Sequence, residues 1–178
     1  MSDTDEKTET LRSSLTNIYD AYRTALLNRQ YYGHRLTYTR RLSFWFDILI
    51  AIGATGSGGV AGLAIWGTIT GQYIWLWISG VATVFSVVKP TLQFSQSIEN
   101  YTKLYAGHTN IYLTLKEIVE EVNTARRISS DSIRKYRASR QLNRELGGYD
   151  DPKPDKALVE RLQRQVNKEI PPEILWMP

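Results

Sequence analysis

The decisive stretch runs from Phe44 to Val88. Its first part, FWFDILIAIGATGSGGVAGLAIWG, covers Phe44–Gly67 with one charge, Asp47; its second, YIWLWISGVATVFSVV, covers Tyr73–Val88 with none. As a helix the first part would extend roughly 36 Å, against a hydrocarbon core of about 30 Å. The second is shorter, but Lys89 beyond it could snorkel toward headgroups while the helix continues to Phe94. Thr68–Gln72 between them leaves room only for a tight turn. The stretch therefore predicts an antiparallel transmembrane helical hairpin. Phe44, Trp45 and Phe46 at one end and Trp66, Tyr73, Trp75 and Trp77 at the other stand where aromatic belts form. The alternative, a buried hairpin in a globular domain, needs more apolar surface elsewhere than the chain has.

Outward from the hairpin the chain is polar, which explains a mean hydropathy of −0.33. It carries 22 Lys and Arg against 18 Asp and Glu, two His and no Cys. A disulfide framework, a thiolate nucleophile and a Cys-based zinc site are excluded. No Ser, His and acid grouping has readable spacing and the two His lack metal partners in register. Catalysis, a metal and a cofactor are thus not expected. Arg29, Arg35, Arg40 and Arg41 precede the hairpin, Lys89 and Lys103 follow it, and its turn is uncharged. Basic flanks stay inside, which predicts a membrane protein with both termini cytoplasmic.

Three regions follow: an N-terminal cytoplasmic helix over 1–43, the hairpin over 44–94, and a C-terminal cytoplasmic helical region over 95–178. Residues 1–8 are expected to be disordered. Leu11, Leu15, Ile18, Tyr22 and Ala25 make a helical stripe, with Gly33 loosening the backbone. From Ile98 through Tyr101, Leu104, His108, Ile111, Leu115, Ile118 and Val122 a second stripe faces the first, His108 as a hydrogen-bonded core residue. Ser129 or Ser130 caps a helix ending near Gly147 and Gly148, and Asp150–Pro154 reads as a linker. Asp155 caps a last helix with the stripe Leu158, Leu162, Val166 and Ile170. The tail from Pro171 would expose Ile174, Leu175 and Trp176 as a docking peptide.

Within the hairpin, Gly58 and Gly62 form a small-xxx-small pair suited to close helix packing. The glycine run also loosely imitates a dinucleotide fingerprint, but the Walker Lys and the ribose-binding acid are missing where they would be needed. Asp47 either pairs with Lys89 or stands at a pore mouth. Ser79, Thr83, Ser86, Pro90, Gln93 and Ser97 fall on one helical face, which packs on another helix or lines a lumen built by a ring of subunits. Between residues 126 and 144, Arg126, Arg127, Arg134, Lys135, Arg137, Arg140 and Arg144 face Asp131 alone. Such a cluster is a solvated or lipid-facing surface, or a site for a phosphate-rich ligand.

The two close spans, the run Arg161, Leu162, Gln163, Arg164, Gln165, Val166, Asn167, Lys168, Glu169 and the ending Pro171-Pro172-x-x-Leu175-Trp176 resemble the SLATT family of bacterial anti-phage effectors. The likeness extends from about Tyr22 onward. It implies an all-α homo-oligomer in the lipid bilayer of the bacterial inner membrane, which it permeabilises as a ligand-controlled channel. It also implies a nucleotide or oligonucleotide signal from a partner nucleotidyltransferase. A non-conducting membrane-anchored scaffold that recruits a soluble partner is the competing expectation.

Overall fold

The computed structural model describes residues 3–55, 73, 77, 80–88, 93–171 and 175–178, and over these it is all-helical. Its helices include α1 (Asp3–Thr55), α2 (Phe94–Ala125), α3 (Ser130–Leu146) and α4 (Lys156–Glu169), with a 3₁₀ turn at Gly147–Tyr149. Residues 80–88 are helical as well. The chain divides into two compact units, Met1–Arg35 with Asn100–Pro178, and Leu36–Glu99. The segments read as separate N- and C-terminal regions thus fold as one body.

In that first unit the stripes meet as expected. Leu15, Ile18, Tyr22 and Ala25 of α1, Leu104, Ile111, Leu115, Ile118 and Val122 of α2, and Leu162 and Val166 of α4 are buried in one cluster. Each large aliphatic side chain removed from water contributes about 1.5–3 kcal/mol, so this seam dominates the unit's stability. Aromatic residues add to it: Tyr22 stacks on Tyr112 with ring centroids 5.3 Å apart. Both expected caps form, Ser129 accepting from the Ser132 amide at 3.0 Å and Asp155 from the Leu158 amide at 3.1 Å.

Three expectations are corrected here. α1 starts at Asp3, so residues 3–8 are helical rather than disordered. Gly33 does not loosen α1; it makes room for Tyr105, whose Cε2 would lie 3.2 Å from an added Cβ. The tail does not project as a docking peptide. The Trp176 amide donates to Asn123 Oδ1 at 3.1 Å, its carbonyl accepts from the Tyr19 hydroxyl at 2.7 Å, and Leu175 and Trp176 pack against the core. Ile174 lies outside the described residues.

Within the second unit, Phe46 meets Phe85 edge-on at 4.8 Å and Phe94 at 5.3 Å. Among the described residues no helix is long and apolar enough to cross a membrane. The expected inner-membrane placement with cytoplasmic termini is corrected on that finding. Within α1, Arg40, Arg41 and Asp47 stand in or beside the stretch that would have to enter the hydrocarbon, where a charge is costly. Gly58, Gly62, Ser79, Lys89 and Pro90 lie outside the described residues.

Gln93 sits in a turn with φ 46°, just before α2, so it does not share a helical face with Thr83 and Ser86. The Ser86 hydroxyl donates to the Thr83 carbonyl at 2.7 Å, while both residues remain exposed, as does Asp47.

Candidate functional site

The seven-residue basic cluster is not one surface. Arg126 and Arg127 belong to the connection between α2 and α3, and Arg126 is held at φ 51°, a left-handed conformation costly for a residue with a Cβ. Replacing Arg126 with Gly should therefore raise stability by about 0.5–1 kcal/mol, the relieved strain exceeding the added chain entropy, as read by urea denaturation.

Along α3 the basic residues separate further. Arg134 pairs with Asp131, and Lys135 reaches Glu117 at 3.2 Å and Asp131 at 3.4 Å. Glu121 accepts from the Ser132 hydroxyl at 2.8 Å, and the hydroxyls of Ser132 and Ser129 hold its carboxyl below the usual carboxylate range. Acids of α2 thus meet the N-terminal half of α3. Arg137, Arg140 and Arg144, spaced by three and four, fall on one outward face opposite buried Ser132, Ser139 and Leu146. None of the three has an ionic partner among the described residues. Arg140 lies over the Tyr136 ring at 6.0 Å.

Beside Arg140 a cavity of about 210 Å³ opens between α1, α2 and α3. Ala25, Ile111 and Leu115 form its apolar floor, and Asp20, Ser139, Arg140 and Asn143 contribute polar atoms. Asp20 and Asn143 are exposed, and their side chains have no hydrogen-bond or ionic partner among the described residues. Sequence reading missed Asp20, Ser139 and Asn143. A lone acid on α1 and two polar residues on α3 carry no mutual spacing, and only helix packing brings them to one opening.

The Asp150–Pro154 stretch is more than a linker. Asp151 Oδ2 accepts from the Tyr31 hydroxyl at 3.0 Å and the Tyr101 hydroxyl at 3.3 Å and pairs with Arg35 at 2.9 Å. Its Oδ1 accepts from the Lys153 amide at 3.0 Å. The Tyr32 hydroxyl donates to Asp150 Oδ1 at 2.7 Å, and the Asp155 amide to the Tyr31 hydroxyl at 3.2 Å. Burial pushes the Tyr31 and Tyr32 hydroxyls upward, keeping them protonated donors.

His108 corrects another expectation. It is buried and its ring stacks on Tyr32 at 5.4 Å, but neither ring nitrogen has a hydrogen-bond partner among the described residues. Burial lowers its pKa from 6.5, with Asp150 opposing. The unfolded chain takes up this proton near pH 6.5 and the folded chain only at lower pH, so the unfolded state binds more protons in that window. Stability should then fall as pH drops below about 6.5. Thermal unfolding at pH 7.5 and pH 5 checks this, and His108→Phe, which keeps a stacking ring, should flatten the decline.

A second basic row, Arg161, Arg164 and Lys168, borders a concavity of about 640 Å³ whose described lining residues belong to α4. Arg23 touches this helix, donating to Asn167 Oδ1 at 2.6 Å.

No family model matches the chain, and no match is found among curated proteins or solved structures. What fold and site define is an all-α protein with an unpaired row of arginines beside a cavity between helices.

Proposed function

We propose that the chain is a self-associating effector controlled by an anionic ligand. Binding on α3 governs assembly of the second unit into a pore that lets ions through a lipid bilayer. The observation that carries this reading is the apolar surface of that unit. Phe44, Trp45, Tyr73, Trp77, Val84 and Val87 leave between 59% and 73% of their area open. Single exposed apolar residues are ordinary, but a concentration of them in one unit calls for a cover, either lipid or further copies of the chain. Two apolar segments cannot enclose a lumen alone, so a pore requires a ring of subunits, with Asp47, Thr83 and Ser86 as its polar contributors. Likeness to the SLATT effectors supports a role in anti-phage defence and a nucleotide or oligonucleotide as the signal. The unpaired Arg137, Arg140 and Arg144 suit phosphate groups.

A second reading, a non-conducting scaffold that recruits a soluble partner, is favoured by the lack of a membrane-crossing helix among the described residues. Purified protein added to dye-loaded liposomes separates the two. The pore reading expects ion flux that depends on an added nucleotide or oligonucleotide, and loss of that flux when Ser79, Thr83 and Ser86 are all changed to Leu. Absence of flux with every ligand tried would leave the scaffold.

A further inference from the structure

The cavity beside Arg140 has a chemistry of its own. Asp20 is an acceptor only, and it forms no ion pair with Arg140, although both border the same opening. Ser139 is 6% exposed and borders the same opening. A carboxylate repels phosphate, so the anionic end of a ligand sits away from Asp20, on the Arg140 side of the opening and the adjoining Arg137 and Arg144. What lies beside Asp20 must be neutral, flat enough to lie along Tyr136 and able to donate hydrogen bonds. Size agrees: about 210 Å³ is below the roughly 300 Å³ of the smallest pockets that take a whole drug-sized molecule, and so suits one ring system.

We infer that the ligand of α3 is a guanine nucleotide, its base in this cavity with the imino and amino hydrogens on Asp20 and its phosphate on Arg140, Arg137 and Arg144. The inference rests on the anionic-ligand reading above and adds the identity of the base. Guanine presents two parallel donors on that edge, matching the two oxygens of a carboxylate in the way an Arg fork does. Adenine presents one donor beside an acceptor, whose lone pair would face the carboxylate. Tyr136 supplies the ring on which the base stacks, and Asn143 a further polar contact at the rim.

Titration calorimetry of the full chain with GMP, IMP, AMP and pyrophosphate tests the assignment. GMP should bind at least about 10-fold more tightly than AMP, a ratio in the range of one bidentate base contact, and IMP, which keeps the imino but lacks the amino group, should fall between them. Asp20→Asn, at an exposed position, should bring GMP and AMP to within about 2-fold of each other. It should leave pyrophosphate binding undiminished. Equal binding of GMP and AMP, or a preference that survives Asp20→Asn, overturns the base assignment while pyrophosphate binding keeps the anion reading. Failure of all four to bind overturns both.

Discussion

Changing Arg137, Arg140 and Arg144 together to Glu is expected to abolish the response to an anionic ligand. Each charge-assisted hydrogen bond to phosphate contributes about 1.5–3 kcal/mol, so losing three lowers affinity by well over 100-fold before repulsion is counted. Arg134→Glu is the informative companion. Arg134 already faces Asp131, so this variant should cost binding little while placing like charges three residues apart on α3. Affinity measured by calorimetry, with helicity followed by circular dichroism, checks both. If Arg134→Glu abolished binding as completely as the triple variant, the division of the basic cluster would be wrong. The three outward residues keep their fold contacts to a minimum, so the loss should appear without unfolding.

The second large effect is structural. Asp151→Ala should destabilise the first unit by about 3 kcal/mol, because the carboxylate accepts from two tyrosines and pairs with Arg35 while itself only 6% exposed. The value sits at the low end for a buried pair since Arg35 keeps 28% of its side chain open to water. Asp151→Asn, which retains an acceptor oxygen, should cost less. Hydrogen exchange adds a local readout: amides of Leu162 and Val166 should lose protection first, because Asp151 anchors the segment that delivers α4 to the core. A loss below about 1 kcal/mol by urea denaturation would reduce the cluster to an ordinary surface pair.

Both effects bear on what can be read from a chain of residues. The seam between α1 and α2 was legible because helical spacing of Leu15, Ile18 and Tyr22, and of Leu104, Ile111, Leu115 and Ile118, is a local property. The same holds for the caps at Ser129 and Asp155, each satisfied by an amide three residues on. The Asp151 cluster was not legible. Tyr31 and Asp151 lie 120 residues apart, and nothing near either marks the other as its partner. Charge counting along residues 126–144 also failed to see Glu117, 18 residues before Lys135, which removes that lysine from the ligand-facing set. His108 was placed in the core by its spacing, but its spacing could not tell that a stacked Tyr32 ring, and no hydrogen bond, would be its companion.

By itself, then, the sequence determined an all-helical chain, the inward stripes, the helix caps and a basic α3, since each depends on residues within a turn or two of one another. Only the tertiary structure decided which arginines stay unpaired, that the tail folds back on Tyr19 and Asn123, and that Asp20 shares a cavity with Arg140. Those outcomes depend on polar groups from distant segments meeting in a place of low water content, where a hydrogen bond left unmade is costly and a made one fixes the geometry.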